Sequence, residues 1–539
     1  MSLRLIRRGL LLAALILTWS GCGSPQPPRA IVQAAEAAPA RASHGTRAPT
    51  PPPAEPAPTP PPVEPAPTAA PELPARIAEH RAALRPAFAD DLWGMLSAPQ
   101  YLIEATIDPA AATIAGAQQI IYTNREADAL TEIPLRLFPN LPDLGGSLTL
   151  GDITVDGVAV TAASGGDGFL AIVPLPQPLA PGATTTLGMR FVAQAPINGQ
   201  ADYYAAYNRG GDIFALANAT PLVAMRRAGA WDLEVPSITG DLVTSETSLY
   251  TAVLTIANGW KPVTSGSIVA QDALGEQVAW RIVSGPQRDF TIVATPWSVI
   301  EADVDGTMVR MHVPPSVRDG AGRAGLDAAA RALRLFNERF GPYPFSDLDL
   351  VQIDAQFFLG VEYPGVLLLD RRLFRELREL LDVIVAHEVA HLWWYALVGN
   401  DVQRAAWIDE GLATYAQVIY REAYGGPDAA AAELADIRQE YLRVASRGYD
   451  MPLDQPVAAF SPGLYYQLVY NKGALFFAAL RRQIGDEAFF AALRQLAAAR
   501  RYQIIDGADV VTTAGQACAC DVTGLYDQWI RQAGPVDVP

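Results

Sequence analysis

The chain reads as a multidomain protein: an N-terminal β-sandwich, a mixed α and β region after it, and a short helical C-terminal part. Three observations predict this order. Its 539 residues exceed one ordinary domain, and length alone suggests about two to four. Short alternating apolar runs punctuated by Gly and Pro fill 98–303, whereas helical spacing of apolar residues first appears after Val313. From about Asp428 the chain is rich in Ala, Leu and Arg and reads as mostly helical to its end. The expected divisions are 1–22 (targeting segment), 23–97 (Pro-rich tether and lead-in), 98–303 (β-sandwich), 304–430 (mixed α and β domain) and 431–539 (helical C-terminal part).

Composition narrows the function. Half the residues are hydrophobic and 18% are charged, enough apolar content for large cores. A net charge of −17 lacks the basic footprint of a nucleic-acid binder, so no nucleic-acid partner is expected. Three cysteines exclude a disulfide-stapled scaffold and a Cys-rich structural zinc site. Any histidine-based metal site must come from His44, His80, His312, His387 and His391.

The N-terminus has the layout of a secretory signal: Arg4, Arg7 and Arg8, the apolar run Leu10 to Leu17, then Ser20-Gly21-Cys22. A cysteine after small residues resembles a bacterial lipoprotein cleavage site, although Trp19 stands where such sites usually carry Leu. The expectation is an exported protein, extracellular or periplasmic, held at the membrane by lipid on Cys22. The alternative is ordinary signal cleavage. No later run is long and apolar enough to span a bilayer. Ser24 to about Ala75, rich in Pro, Ala, Thr and Glu, reads as an extended tether.

Folding is expected to begin near Ala98. Tyr101 to Asp108 alternates like a half-buried strand, and Ile153 to Val160 is a hairpin signal around Asp156-Gly157. Further on, Leu326, Ala330, Leu333, Phe336 and Phe340 lie at helical spacing, and Gly341-Pro342 ends that helix. A strand is expected at Leu348 to Ile353, a loop at 357–365, and helices at about 374–397 and 408–423.

The chemistry sits on those two helices. Residues 387–391 read His-Glu-Val-Ala-His. Histidines at i and i+4 share one helix face, so both imidazoles reach one ion, and Glu388 beside them is placed to take a proton from water. The bland alternative is two packed core histidines. Zinc needs a third protein ligand and an open fourth position. One metalloprotease branch takes a third histidine six residues on, but that position is Leu397, and its glycine position holds Trp394. The other branch takes a glutamate from the next helix. Eighteen residues separate His391 from Glu410, enough for a helix to end, turn and be followed by an antiparallel one. Glu410 lies in an apolar stretch, where an unpaired carboxylate is costly.

His387-Glu388-Val-Ala-His391 followed by Trp407-Ile-Asp-Glu410-Gly-Leu-Ala resembles the aminopeptidase N and leukotriene hydrolase family of zinc metallopeptidases, the gluzincins. The resemblance covers about 98–539 and is strong from Phe340-Gly-Pro-Tyr-Pro-Phe345 onward. It implies a thermolysin-like catalytic domain after the β-sandwich. It also implies one Zn2+ per chain held by His387, His391 and Glu410, with Glu388 as general base. Gly360-Val-Glu362-Tyr-Pro-Gly resembles the family's Gly-x-Met-Glu-Asn loop and implies that Glu362 holds the substrate's free α-amine. Tyr363 replaces the usual Asn and Val361 the Met, as in a bacterial branch. Tyr470-Asn-Lys-Gly473 matches the family's oxyanion tyrosine, so Tyr470 rather than Tyr465 or Tyr466 takes that role. Ending soon after Trp529, the chain is expected to lack the large helical superhelix of the longest members and to have a more open pocket.

The resulting expectation is a zinc-dependent aminopeptidase acting on peptides. A zinc endopeptidase or non-peptide hydrolase on the same scaffold stays open, as does an inactive binding lipoprotein, against which intact Glu388 argues. Oligomeric state and first-residue preference carry no sequence signal. Cys518 and Cys520, one residue apart, could form a small disulfide or a weak metal site; a structural role or free thiols is favoured, and whether they are bonded stays open, while His312 is read as a strand or surface histidine.

Overall fold

A computed structural model describes residues 72–534, apart from 197–206, 211, 316, 318 and 356–357. The signal segment, Cys22, His44 and nearly all of the expected tether lie outside the described residues.

The β-rich half is layered as expected. An eight-stranded sheet has at its centre the hairpin Gln100–Asp108 and Thr113–Thr123, with Leu249–Ala257 parallel to the first strand. Burial along Gln100–Asp108 alternates in its second half, as one face toward a core requires. Two four-stranded sheets contribute Phe214, Leu216 and Ile292, and Ile133 and Val173, to the core that also takes Ile103, Ile107 and Leu187 from the large sheet. The predicted hairpin forms between Ser147–Val155 and Val158–Ala159. Its turn residues, Asp156 and Gly157, have φ of 50° and 81°, the left-handed pair that a tight two-residue hairpin demands.

The start of folding differs from expectation. Residues 73–97, read as lead-in, form short helical turns from Ala75 to Met95 that pack into the catalytic core. Ile77 and Leu92 are fully buried there. Asp91 accepts from Tyr502 at 2.9 Å and pairs with Arg501 at 3.0 Å, and Arg85 donates to the carbonyl of Tyr343 at 2.8 Å. The pattern was illegible because these segments are two short turns and a ten-residue 3₁₀ stretch, whose three-residue repeat departs from helical spacing.

A five-stranded sheet follows, in the order Ser298–Val304, Thr307–Val313, Asp347–Ile353, Val366–Asp370, Gly360–Tyr363. The expected division at 303/304 passes through its first hairpin, since Ser298–Val304 pairs with Thr307–Val313. The expected loop at 357–365 contains the edge strand Gly360–Tyr363, antiparallel to Val366–Asp370. The turn Pro364-Gly365, with φ of 73° at the glycine, folds this short segment back onto its buried neighbour.

The first long helix is Asp319–Phe340, closed by Gly341 at φ 103°. The second is shorter than expected: Leu381–Ala390 rather than 374–397, with single turns at Arg371–Phe374 and Arg378–Leu380 before it. It stops because Trp393 leaves the helix to pack edge-on against Phe336 and Phe340. Beyond it Tyr395 takes φ 144°, held by Arg288, which donates to its carbonyl at 2.7 Å. The third helix, Asp409–Ala445, runs past Ala423 but is broken at Gly426-Pro427, so it is two helices end to end. The remainder is helical as expected: Gly473–Ile484, Asp486–Ala499 and Gly507–Cys518, with π-helical segments at Tyr466–Lys472 and Asp527–Arg531. Cys518 and Cys520, whose pairing the sequence left open, are joined by a disulfide. His312 is a buried strand residue bonded to Asp349 at 2.8 Å. Among the described residues no helix is long and apolar enough to cross a membrane.

Because Leu92 is a core residue rather than tether, Leu92→Ala should cost about 2–5 kcal/mol of stability. Thermal unfolding monitored by near-UV circular dichroism checks this. An unchanged melting temperature would place the lead-in outside the folding unit.

Candidate metal and catalytic centre

The helix Leu381–Ala390 is buried along most of its length, with only Asp382 and Ile384 partly exposed, and it carries His387 and Glu388 inward with it. Glu410 comes from the first turn of the next long helix. Glu410 Oε2 lies 3.2 Å from His387 Nε2 and 3.4 Å from His391 Nε2, and the two Nε2 atoms are 3.2 Å apart. Ligands at about 2.0–2.1 Å from a tetrahedral zinc stand about 3.3 Å from one another. The three donors thus form the face of a tetrahedron of the right size, and two imidazoles with one carboxylate are a zinc donor set.

Partners behind the ligands set their orientation. His391 Nδ1–H donates to the carbonyl of Trp394 at 3.0 Å, which leaves Nε2 free of a proton for a metal. His387 Nδ1 meets the side-chain amide of Gln417 at 2.9 Å, and an amide turned with its oxygen toward the ring does the same there. Gln417 was missed in the sequence. It lies seven residues after Glu410, two helical turns along the same face, which is the signal that would have found it.

Glu388 is buried beside the donors, and its Oε2 has no hydrogen-bond partner. Gly360 explains how it fits: a Cβ at that position would overlap the Glu388 carboxylate. The edge strand therefore lies directly on the proposed base. Burial, reinforced by the nearby Glu362, pushes the Glu388 carboxyl well above its ordinary range. Burial also pushes Glu362 up, and lowers His387 toward its neutral form. At Glu410 burial acts upward, but the two imidazoles outweigh it and hold this carboxyl low. At His391 burial acts downward, and the carboxylates led by Glu362 outweigh it and raise it. The site holds more buried negative charge than its imidazoles balance, as a divalent-cation site does.

Tyr470 lies on the π-helix Tyr466–Lys472. Its ring stacks parallel to that of His387 at 5.9 Å, and its hydroxyl donates to Glu410 Oε1. Gly411 and Gly473 bring the two helices this close: a Cβ at Gly411 would come within 2.9 Å of the Gly473 backbone. Lys472 anchors the π-helix from behind, fully buried, with Asp450 at 3.0 Å and the carbonyl of Gln532 at 3.0 Å. Tyr466 is 45% exposed and Tyr465 packs on Gly240, so neither stands where Tyr470 does. All six residues singled out in the sequence, His387, Glu388, His391, Glu410, Glu362 and Tyr470, are buried or pointed into one cluster. Asp241, from the β-rich half, joins Glu362 and Glu410 there and was not foreseen.

These features define a buried three-donor metal centre with a carboxylate beside it. Residues 324–529 match the Peptidase family M1 domain, and the resemblance to the aminopeptidase N-like zinc metallopeptidases is borne out. The chain is 27% identical to human "Aminopeptidase B" over 249 residues, 44% of this chain and 37% of that protein. It is 26% identical to "Aminopeptidase M1-B" of Oryza sativa subsp. japonica over 243 residues, 43% of this chain and 28% of that one. The matches thus span about a third of these relatives' lengths. The M1 zinc metallopeptidase of Deinococcus radiodurans has the same fold, with a TM-score of 0.62 at 19% identity, covering 82% of this chain and 96% of that one. The fold, a β-sheet domain followed by an α+β domain and a helical region, is that of these enzymes.

Replacing Gln417 with Leu should weaken zinc binding about 10- to 100-fold, while His391→Ala should abolish stoichiometric binding. Competition for zinc against a chromogenic chelator measures both. Undiminished affinity in Gln417→Leu would show that the amide does not orient His387.

Proposed function

We propose that this protein is a zinc-dependent aminopeptidase that removes N-terminal residues from peptides. The observation that carries the reading is the placement of Glu388 and Glu362 against one three-donor metal face: a base for water and an anionic anchor lie within a single buried cluster. The relatives named aminopeptidases favour the same activity.

His387, His391 and Glu410 would hold zinc, which when bound supplies Lewis acidity to the scissile carbonyl and to water. Glu388, raised by its burial, accepts a proton from the attacking water and passes it to the leaving amine. The Tyr470 hydroxyl, which donates to Glu410 in the free site, donates to the oxyanion as the carbonyl becomes tetrahedral. Glu362 pairs with the substrate's α-ammonium, and its position on the edge strand sets the register of the cut at one residue.

The N-terminal pattern supports export and lipid attachment at Cys22. Cys22→Ala should shift the protein from the membrane pellet to the soluble exported fraction, and an unchanged distribution would count against the anchor.

Glu388→Gln should keep one zinc per chain and lose about 10³-fold or more in kcat. Peptides with free and acetylated N-termini, incubated with and without chelator and analysed by mass, test the activity. Chelator-sensitive loss of single residues from the free form alone is expected. Internal cuts in both forms would overturn the aminopeptidase reading.

A further inference from the structure

We infer that Tyr395 is a positioning residue for the metal centre, locked from the β-rich half by Arg288 and Asp289 so that the Trp394 carbonyl stays aimed at His391. This rests on the zinc reading of the site and adds to it the groups that hold one ligand in place.

The backbone of Tyr395 is the unusual feature. Its φ of 144° lies in a region that glycine enters freely and that a side chain makes costly. This angle turns the Trp394–Tyr395 peptide plane relative to the chain that follows it. The carbonyl of that peptide accepts from His391 Nδ1–H at 3.0 Å, the bond that leaves Nε2 unprotonated toward the donor triangle. Relaxing φ therefore swings that carbonyl off His391. A strained residue keeps its angle only where its surroundings over-determine it.

Four attachments do so here. The Tyr395 amide donates to the Val398 carbonyl at 3.0 Å, and the next amide, of Ala396, donates to the His391 carbonyl at 3.0 Å. Arg288 Nε donates to the Tyr395 carbonyl at 2.7 Å, and the Tyr395 hydroxyl donates to Asp289 Oδ2 at 2.6 Å. The first two close the turn locally and are open to any residue with an amide. The last two come from the β-rich half, and the hydroxyl bond needs this side chain. That accounts for a tyrosine where glycine would carry no strain: the phenol is the handle by which a distant segment fixes the turn.

The lock is itself held. Arg288 and Asp289 are both buried. The terminal nitrogens of Arg288 donate to the carbonyls of Ser245, at 3.3 Å, and Gln503, so one guanidinium ties three segments together. The Arg288 carbonyl in turn accepts from the hydroxyls of Ser245 and, at 3.3 Å, Tyr250. Gly399 makes the room, since a Cβ there would overlap the guanidinium. Burial lowers the guanidinium only to about 10, so it stays a charged donor at neutral pH. The orientation of a ligand in the catalytic half thereby depends on two adjacent residues of the β-rich half.

The test uses the full chain in metal-free, zinc-loaded and Co2+-loaded forms. Tyr395→Phe removes the bond to Asp289, and Arg288→Met removes the donor to the Tyr395 carbonyl. Each should weaken zinc binding about tenfold or more in competition with a chromogenic chelator, measured below the melting temperature of the metal-free protein. Each should also shift the visible d–d absorption of the Co2+ form, because the His391 ring changes its angle at the metal. A merely structural role would lower the melting temperature of the metal-free protein and leave zinc affinity and the Co2+ spectrum unchanged. Tyr395 also lines a cavity with Glu362 and Tyr363, and a role confined to that wall would change KM and leave zinc affinity alone. Either result overturns the inference. If Arg288→Met does not fold, Tyr395→Phe decides by itself, since phenylalanine fills the same buried space. A wild type that binds one zinc with the same affinity as its folded variants removes the inference alone. A wild type that binds no zinc removes the zinc reading and this inference with it.

Discussion

Buried negative charge is the constraint on which the rest of this structure depends. Glu362, Glu388 and Glu410, with Asp241 beside them, come together in a region where an isolated carboxylate is strongly disfavoured. Two imidazoles offset part of that cost. A divalent cation held by His387, His391 and Glu410 would offset more of it. The donor triangle of His387, His391 and Glu410 has edges of about zinc size, and Asp241 and Glu362 lie beside Glu410. The proposed function and electrostatic stability are therefore linked: the groups that are costly to bury are the ones proposed to hold the metal and to act on the substrate.

Holding such a cluster together requires rigid elements from distant parts of the chain. The helix Leu381–Ala390 is buried except at Asp382 and Ile384 and cannot rotate without exposing apolar surface. Gly411 against Gly473 sets the distance from Glu410 to the helix of Tyr470, and Gly360 sets the distance from the edge strand to Glu388. At these two contacts side chains are absent because functional groups must approach. The π-helix at Tyr466–Lys472 is anchored by Lys472, whose ammonium is satisfied by Asp450 and backbone carbonyls rather than by solvent. The lead-in at 73–97 adds packing on the far side of the same core.

Much of this was legible in the residues. The i, i+4 histidines, the glutamate on the following helix, the Asp-Gly hairpin and the Gly-Pro helix stop are local patterns with local causes, and each appears where it was read. The misses also have causes. The helix bearing His387 was read too long because Trp393 to Leu397 continue its apolar character, and only the packing of Trp393 on Phe336 and Phe340 ends it. The edge strand at Glu362 was read as loop because it is four residues long, and pairing with Val366–Asp370 is what makes it a strand.

By itself the sequence determined the donor chemistry. Two histidines one helical turn apart and a glutamate in an apolar context point to a cation site, since helical periodicity and the cost of burying charge are local facts. Only the tertiary structure decided which other groups share that site. Asp241 lies far from the motif residues in the chain and has no spacing relation to them. It reaches Glu362 because Gln403 clamps its loop and Gly240 lets that loop pass under Tyr465. Contacts of that kind arise from how separate elements pack, and no periodicity along the chain encodes them.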